Sequence, residues 1–578
     1  MHTTTSVLSL ATLPTEVILQ IFSELPLSSV LRCLAVCRLF RDLISSSAPI
    51  RYAIELEAGG YTDGLSGSDS IPQRLARLQK HRKAWRDLSW TTTEYTYEEV
   101  FGNFDFSLYE LVGGVFARGS RRQMSFIELP SSIRGTTGRK FSWQFDFELG
   151  DFAMDPRQDL LVLVERGIAA THYPFRIHLR ALSTNMAHPL ANFPILEEEV
   201  TRMYVEHSSY GFFIQIMGDT LGLLIHGYRL PSTFMVWQWT TGLARARMQL
   251  SPEHIPSTFA FLSYNTFVFP RFYDRPIPYQ DENTRSQKSF ALEVYAMRSD
   301  ASGLVDPHRL ATFLLPPVVP SIGVRDFRSR TDPAPVPLVS TSPGGDHFQQ
   351  PFHAAPEDHV ICFSIIATDD AERWACPAFF TRSSTLCGHA KYLSQNEESR
   401  CIPWEAWGPP NTRWIKRLNL GAYECFDYGN RFAQGLIWDI LRQRCKRVRV
   451  LDFNPYVARA YRQDVGEQEV GPLAERGPPK ELGTSDDEAG STDNYEEESD
   501  EEEYQIDYRP DKSVESQSVT STSVIRKGGI FAADVHSSLP YWEVTKVVPH
   551  QPFDGVMMDD ERVICLTRQG KFWVHTVS

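Results

Sequence analysis

The first candidate metal ligands in this 578-residue chain are three cysteines and a histidine that lie near one another in the sequence: Cys376, Cys387, His389 and Cys401. Thiolate and imidazole suit Zn²⁺, but structural zinc sites usually draw two cysteines from a Cys-x-x-Cys knuckle. The gaps between these cysteines are too long for such a knuckle, so we interpret them as unrelated buried thiols. The sequence therefore predicts no metal site and no bound cofactor.

No spacing of a nucleophile, a base or phosphate-binding residues typical of an enzyme occurs in the chain. The sequence lacks a Gly-x-Ser-x-Gly elbow, a His-Glu-x-x-His pair, a P-loop and a dinucleotide fingerprint. The glycine-rich segment 59–68 follows no predicted strand and lacks a P-loop lysine, so it is interpreted as a linker. We predict no catalytic residue. One enzymatic alternative remains: if the chain forms a β-propeller, carboxylates and arginines at its central channel could form a hydrolytic site.

The first fifty residues carry three short apolar patterns of helical period. Pro14 suits a first helical turn, Pro26 ends that helix, and Ser28 is the predicted N-cap of the next helix. The apolar positions of the three helices are Val17, Ile18, Ile21, Phe22 and Leu25, then Val30, Leu31, Leu34 and Ala35, then Val36, Phe40, Leu43 and Ile44. About 40 residues rarely bury enough surface to fold alone, so this unit is predicted to need a partner.

The same segment resembles the F-box family over the full length of its motif. The matching positions are Leu13-Pro14-Thr15-Glu16-Val17-Ile18, Ile21-Phe22, Leu25-Pro26, Val36-Cys37-Arg38-Leu39-Phe40 and Leu43-Ile44. The resemblance implies an all-α unit that docks on the Skp adaptor of cullin-based ubiquitin ligases. The sequence departs from the family at Ser29-Val30, where an acidic-apolar pair is common, and after the third helix, where Tyr52 is the nearest aromatic residue.

The resemblance also assigns residues to the contact with a Skp-type adaptor or to the core that supports it. They are Leu13, Pro14, Val17, Ile18, Ile21, Phe22, Leu25, Pro26, Leu31, Val36, Cys37, Phe40, Leu43 and Ile44. An ordinary helical subdomain that packs only on its own protein is the alternative interpretation.

The net charge of −14 is concentrated in one segment. Between Ser485 and Asp511 there are thirteen acidic residues and one arginine, Arg509. Because the rest of the chain is close to neutral, composition gives no reason to expect nucleic acid binding. No apolar run reaches the roughly 18 residues that a membrane span needs. Nine cysteines without close pairing suit a reducing compartment, so the predicted location is the cytosol or the nucleus.

Residues 72 to 88 predict a basic amphipathic helix in which Leu75, Leu78 and Trp85 are apolar. Such a helix could bind phosphate, a membrane surface or nucleic acid. We interpret its basic face as solvated and the helix as the connection between the N-terminal unit and the rest of the chain.

From about residue 100 the pattern changes to short strands separated by turns, as in the strict alternation of residues 141–147. Residues 236–242 and 436–440 resemble the ends of third strands in WD-repeat blades. These features favour a β-propeller of about six or seven blades over a double sandwich. Closure is predicted to pair residues 572–575 with a strand around residues 101–117.

Residues 464–524 are rich in Gly, Pro, Ser and acidic side chains and are predicted to be a disordered insertion. Thr484, Ser485 and Ser499 each precede an acidic residue by three positions, a pattern that acidophilic kinases select. Exposed acidic loops also carry this pattern by chance.

The sequence therefore predicts a multidomain protein. Its parts are an F-box at 10–52, a linker and basic helix at 53–99, a large all-β domain at 100–463 and 525–578, and the insertion at 464–524. The predicted function is that of a substrate-recognition adaptor in an SCF-type (Skp, cullin, F-box) ubiquitin ligase, with an unknown protein target. A non-ligase interaction scaffold is the alternative, and a propeller enzyme is the third possibility.

Overall fold

The computed structural model describes most of the chain with internal gaps. The described residues are 10–64, 69–101, 108–166, 175–198, 210–227, 232–250, 256–274, 288–297, 307–334, 350–355, 358–369, 373–393, 400–416, 426–439, 444–460, 514–568 and 570–577.

The N-terminal unit is helical, as predicted. A 3-10 helix, Leu10–Thr12, precedes α1 (Thr15–Ser23), α2 (Leu27–Val36), α3 (Arg38–Ser46) and α4 (Ala48–Gly59). Two details differ from the prediction. Helix α2 begins directly after Pro26 rather than at Ser28, because the fixed φ of proline already suits the N-cap position. A fourth helix, α4, which the sequence did not predict, follows the three predicted ones, and Pro49 lies in its first turn, where proline is well tolerated.

A short connecting layer follows the four helices. Strand β1 (Tyr61–Asp63) pairs with a strand from the middle of the chain, β20 (Phe352–Ala354). The predicted basic helix is α5 (Ile71–Asp87), and Ser70 with Gln73 forms a capping box at its start. None of the described helices is both long and apolar enough to cross a membrane.

The remaining strands form seven blades, which confirms the propeller over the sandwich. The strands of each blade are given from the first strand outward. Blade 1 consists of β3 (Leu108–Val112), β4 (Val115–Gly119), β5 (Gln123–Glu128) and β6 (Arg139–Gln144). Blade 2 consists of β7 (Leu149–Asp155), β8 (Leu160–Glu165), β9 (Phe175–Ala181) and β10 (Ile195–Glu198), and blade 3 of β11 (Tyr210–Met217), β12 (Thr220–Gly227), β13 (Ser232–Gln238) and β14 (Leu243–Leu250).

Blades 4 to 7 complete the ring and carry extra strands. Blade 4 is β15 (Ala260–Ser263), β16 (Thr266–Tyr273), β17 (Ser289–Ala296) and β18 (His308–Leu314), with β24 (Arg400–Ile402) parallel to β18; blade 5 is β19 (Gly323–Arg330), β21 (Val360–Thr368), β23 (Ala378–Arg382) and β25 (Thr412–Ile415), with β22 (Trp374–Ala375) beside β21; blade 6 is β26 (Asp427–Tyr428), β27 (Arg431–Asp439), β28 (Arg444–Asp452), β32 (Tyr541–Val547) and β29 (Val514–Val519); blade 7 is β33 (Gly555–Met558), β34 (Arg562–Leu566), β35 (Lys571–Val577) and β2 (Trp90–Thr96).

Smaller elements decorate the ring. They are α6 (Tyr97–Phe101), a second 3-10 helix (Pro156–Gln158), α7 (Ser383–Leu393), α8 (Trp404–Asn411), α9 (Pro455–Ala460) and the pair of β30 (Ser523–Ile525) with β31 (Val535–Ser537). The core lies between successive blades, where apolar side chains of neighbouring sheets pack face to face.

The ring closes at a different place from the one predicted. Strand β35 pairs antiparallel with β2, so that Trp90 lies opposite Val577 and Thr93 opposite Val574. The predicted partner, residues 101–117, instead contributes β3 and β4 to blade 1. Residues 90–96 contain four threonines with Trp90 and Tyr95, a composition that suits a strand. The sequence interpretation had placed them in the linker, so the β domain begins about ten residues earlier than predicted.

Two further sequence interpretations need correction. Residues 436–439, expected at the end of a third strand, lie in the second strand of blade 6, whereas residues 236–238 do end a third strand. The predicted insertion also runs too far, since Val514–Val519 forms β29 by pairing with β32, a long-range contact that local composition does not report. The acidic tract with Thr484, Ser485 and Ser499 lies outside the described residues.

Candidate partner-binding surfaces

The fourteen predicted adaptor-contact residues divide into three groups in the structure. The buried ones are Ile18, Phe22, Phe40 and Ile44; the half-buried ones are Leu13, Ile21, Leu25, Cys37 and Leu43; the exposed ones are Pro14, Val17, Pro26, Leu31 and Val36. The buried group forms the core of the four helices together with Val30 and Ile50, and the Phe22 and Phe40 rings meet edge to face at 5.2 Å. These buried side chains position the helices.

The exposed face of the N-terminal unit is unusually apolar. Thirteen large apolar side chains are exposed in the described part of the chain. Five of them lie between residues 10 and 39: Leu10, Val17, Leu31, Val36 and Leu39. We call them the F-box apolar set. Val36 is 66 % exposed and Leu39 is 42 % exposed. Leaving apolar area in water costs about 25 cal/mol per Å², so a concentration of this kind marks a surface that a partner covers.

The prediction from sequence missed two members of this set, Leu10 and Leu39. Leu39 belongs to the quoted motif, but an apolar residue in a short helix can face the core or the solvent. Only the packing of α1, α2 and α3 against α4 shows which positions the fold itself leaves uncovered.

Helix α4 joins the N-terminal unit to the propeller through Tyr52. This is the nearest aromatic residue after the third helix, where the sequence departs from the F-box pattern. Tyr52 is buried, and its hydroxyl donates to Asp63 Oδ1 at 2.8 Å or to the Pro351 carbonyl at 3.0 Å. Asp63 also pairs with Arg74 at 3.0 Å. At the end of α4, the Asn454 amide donates to the Ala58 carbonyl at 3.1 Å. The aromatic residue therefore belongs to the joint between the two domains.

Helix α5 anchors this joint on the turn between β33 and β34. The indole of Trp85 donates to the Asp560 carbonyl at 2.9 Å, and the His81 ring lies 3.6 Å from the Asp560 carboxylate. His81 also bonds the Tyr61 hydroxyl at 3.0 Å, and Arg431 stacks over Trp85 at 4.8 Å. The apolar residues of this helix face inward as predicted, but Arg74 and His81 are buried with them. Part of the predicted solvated face is therefore an interface.

Charges within the joint stabilise one another. Burial would raise the pKa of Asp560, but His81 and Arg431 outweigh this effect and lower it. Burial would likewise lower the pKa of Arg431, but Tyr61 and Asp452 raise it. Because these buried propeller charges also have partners in the connecting layer, His81 of α5 and Tyr61 of β1, the joint holds that layer in a defined position on the propeller.

A second apolar surface lies between blades 2 and 3. The connection from β9 to β10 meets the turn from β13 to β14, where the Asn192 amide donates to the Thr240 carbonyl at 2.9 Å. A Cβ placed on Gly242 would lie 2.6 Å from the Phe193 ring, so this ring covers the turn. The exposed apolar residues here are Met186, Leu190, Phe193, Ile195 and Leu243. We call them the blade 2/3 surface.

The blade 2/3 surface and the joint that holds α5 lie at the same end of the propeller. The turns between first and second strands contact one another around the ring: Gln158 donates to the Gly218 carbonyl at 2.9 Å, and the Tyr264 hydroxyl donates to Asp219 at 2.7 Å. Asp560 is in the corresponding turn of blade 7. In antiparallel blades the turns between third and fourth strands lie at this same end. A target on the blade 2/3 surface would therefore sit at the end where α5 anchors the F-box.

The innermost strands of the propeller and their ends carry carboxyl groups that interact with an arginine, which is the kind of group that the enzymatic alternative requires; Glu110, Asp151 and Asp332 are half-buried and Asp427 is buried. Burial raises the pKa of Asp151 to about 7 and that of Asp332 to about 6, and it raises the pKa of Glu110 and Asp427 well above their usual range; Arg330 opposes each of these shifts. Near neutral pH, burial therefore favours the protonated form of Glu110 and Asp427, whereas Asp151 is about half ionised and Asp332 is mostly ionised.

Replacing Asp151 with Asn is expected to stabilise the protein, and more so as pH rises. The unfolded carboxyl titrates near pH 4 and the folded one at about 7, so folding of the native chain becomes less favourable across that interval and constant above it. Asparagine still accepts the Phe152 amide and carries no charge. Unfolding curves between pH 4 and 8 test this, and a difference between variant and native protein that does not grow with pH would contradict it.

The residues considered for zinc are not brought together. Cys376 lies between β22 and β23, Cys387 in α7 and Cys401 in β24. Among the described side chains they form no group of three ligands, and the side chain of His389 lies outside the described part.

Comparison with known families agrees with the geometry of the N-terminal unit. Residues 10–49 match the family model described as F-box-like. A comparison with curated proteins finds no matching relative. The chain thus combines an F-box-like domain with a seven-bladed β-propeller.

Proposed function

We propose that this chain, an F-box-like domain mounted on a seven-bladed propeller, is a substrate-recognition adaptor of an SCF-type ubiquitin ligase in the cytosol or nucleus. The F-box binds a Skp-type adaptor, which connects it to the cullin scaffold, and the propeller binds a protein target. The observation that carries this proposal is the F-box apolar set, which the fold leaves exposed at the segment that matches the family.

In this proposal the chain contributes position rather than chemistry. A target held beside the conjugating enzyme presents its lysines at a high effective concentration, which makes transfer effectively intramolecular. The buried joint around Asp560 supports this role because it keeps the F-box and the target surface in one relative orientation.

The blade 2/3 surface is the proposed target site. Its exposed aromatic and aliphatic side chains are the kind that act as anchors in protein interfaces. It also lies at the end of the propeller where the F-box is anchored.

Replacing Phe193 and Leu243 together with Asp is expected to abolish capture of the target while leaving adaptor binding unchanged. The two side chains are 58 % and 56 % exposed, so the charges are tolerated by the fold but oppose an apolar contact. Affinity capture with quantitative mass spectrometry would compare this variant with the native chain. A matched control is Trp374→Asp on blade 5, which is 58 % exposed and distant from this surface. If both variants lost every captured protein to the same extent, the blade 2/3 surface would not be the target site.

A non-ligase scaffold is distinguished by the fate of the captured target. If the chain is an adaptor, removing residues 1 to 52 raises the cellular level of the target and lowers its ubiquitination. Unchanged target level and ubiquitination in that deletion, with capture preserved, would favour the scaffold.

A further inference from the structure

Three side chains of types that can bind a metal ion meet between blades 6 and 7. They belong to neither of the two proposed partner surfaces. His550 lies in the connection from β32 to β33, Cys565 in β34 and His575 in β35. One ligand atom from each lies within 4.8 Å of the other two. We propose that these residues bind a first-row transition metal ion, with Zn²⁺ the metal that suits a thiolate and two imidazoles best.

The hydrogen bond of His550 directs its other nitrogen into the site. Its Nδ1 lies 2.7 Å from the Gln551 carbonyl, which can only accept, so Nδ1 carries the proton. A neutral His550 therefore presents the lone pair of Nε2, which lies 3.0 Å from Nε2 of His575. Zinc-binding histidines usually hold their second nitrogen in this way, because the bond fixes the tautomer and the ring orientation.

The rings are also fixed by stacking. His550 stacks on Trp573 with centroids 4.1 Å apart and planes 1° from parallel, and His575 stacks on Trp90 at 4.5 Å. Thr92 Oγ1 lies 2.9 Å from His575 Nδ1. These contacts come from β2 and β35, the strands that close the propeller, so the site is already ordered before any ion binds.

A tetrahedral site requires neighbouring ligand atoms roughly 3.3 to 3.5 Å apart, given metal to nitrogen distances of about 2.0 Å and metal to sulfur distances of about 2.3 Å. The two Nε2 atoms are 3.0 Å apart and all three ligand atoms lie within 4.8 Å of one another, so metal binding requires a shift of up to about 1 Å. His550 is half-buried and belongs to a connection, so it is the ligand that can move, whereas Cys565 and His575 are fully buried in strands.

A proton could join the two rings without a metal. In that arrangement Thr92 donates to His575 Nδ1, His575 Nε2 donates to His550 Nε2, and His550 Nδ1 donates to the Gln551 carbonyl. This series of hydrogen bonds satisfies the imidazoles but gives no role to Cys565, a buried free thiol whose sulfur lies within 4.8 Å of a ligand nitrogen of each histidine. The metal uses all three groups.

Burial lowers the pKa of His550 and His575, and the nearby Lys446 and Lys546 add to this effect, so both rings are neutral ligands and a bound cation would rely on the negative groups beside them. Lys446 donates to the His550 carbonyl and Lys546 donates to the Leu88 carbonyl at 2.7 Å, so each ammonium is engaged by backbone. The negative groups are the Cys565 thiolate that metal binding would create and Glu94, which accepts from the Trp573 indole at 3.0 Å. A bound ion would tie the connection from blade 6 to the closing strands of blade 7, and would therefore stabilise ring closure.

The test uses the full chain, stripped with a chelator and then titrated with Zn²⁺ or Co²⁺. We expect one equivalent of tightly bound zinc by elemental analysis, a rise in Tm on adding zinc, and a thiolate-to-cobalt charge-transfer band with Co²⁺. Cys565→Ser should remove that band, and His550→Gln should weaken binding at least about tenfold. Matched controls are Cys362→Ser, a buried thiol in β21, and His178→Gln, a histidine stacked on Phe147 at 4.1 Å.

Any one of three results would overturn the proposal. One is the absence of stoichiometric metal together with a Tm that zinc does not change, which would assign the rings to the proton-linked arrangement. Another is a cobalt spectrum that Cys565→Ser leaves intact. Because His550 is half-buried, His550→Gln is expected to fold even if the cysteine variant does not, and unchanged zinc affinity in it would also refute the site.

Discussion

Replacing Val36 and Leu39 together with Asp is expected to weaken binding of a Skp-type adaptor by at least about 30-fold. Central apolar side chains of an interface typically contribute 2 kcal/mol or more, and about 1.4 kcal/mol corresponds to a factor of ten in affinity. Both side chains are exposed in the free chain, so the charges cost the fold little but would be buried against the partner. Calorimetry or surface plasmon resonance with purified adaptor measures the effect.

The matched control for this variant is Leu243→Asp, a similarly exposed leucine on blade 3. It should bind the adaptor with native affinity, and both variants should keep the native Tm. Native affinity in the Val36 and Leu39 variant would show that the adaptor does not use this surface. A substitution at Ile18 does not separate the two explanations, because this side chain is buried in the helical core and its loss unfolds the unit.

Replacing Phe572 with Ala is expected to lower the free energy of unfolding of the propeller by about 3 to 5 kcal/mol. The ring is fully buried at the closure, where it stacks on Tyr95 at 5.2 Å and meets Tyr97 at 5.1 Å and Phe116 at 5.6 Å. The substitution leaves a cavity that touches β2, α6 and blade 1 at once. Thermal or denaturant unfolding of the full chain checks the prediction.

Phe193→Ala provides the comparison for this truncation, since its ring is mostly exposed. It should change stability by no more than about 0.5 kcal/mol. If the two truncations had equal effects, β2 would not be the strand that closes the ring, and the loss would reflect side-chain size alone.

Local patterns in the sequence predicted the elements well. The apolar period around Ile18 and Phe22, with prolines at its ends, is sufficient to place α1, and the spacing of Leu75, Leu78 and Trp85 is sufficient to place α5. The alternation of residues 141–147 indicates β structure, although only its first part forms a strand and Phe145 and Phe147 follow it as buried connecting residues. Such features follow from backbone preferences and burial of one face, which are properties of neighbouring residues.

Long-range pairing was beyond these patterns. Residues 90–96 and 514–519 look weakly apolar, yet each becomes a strand because an edge strand, β35 or β32, offers it unpaired backbone groups. The same limit applies to the candidate metal site, since His550, Cys565 and His575 are separated in sequence and are brought together only by the register of blade 7 and the connection that precedes it.

The sequence by itself determined that the chain has a helical unit with an F-box motif, a basic connecting helix and a large β domain, because these depend on local periodicity and on a short motif; it favoured a propeller, which the tertiary structure then confirmed over a sandwich. The tertiary structure alone decided which F-box residues face solvent, where the ring closes, and how α5 fixes one domain on the other. Those properties depend on which surfaces meet across hundreds of residues, as when Trp85 bonds the Asp560 carbonyl, and the sequence pattern on either side does not specify its partner.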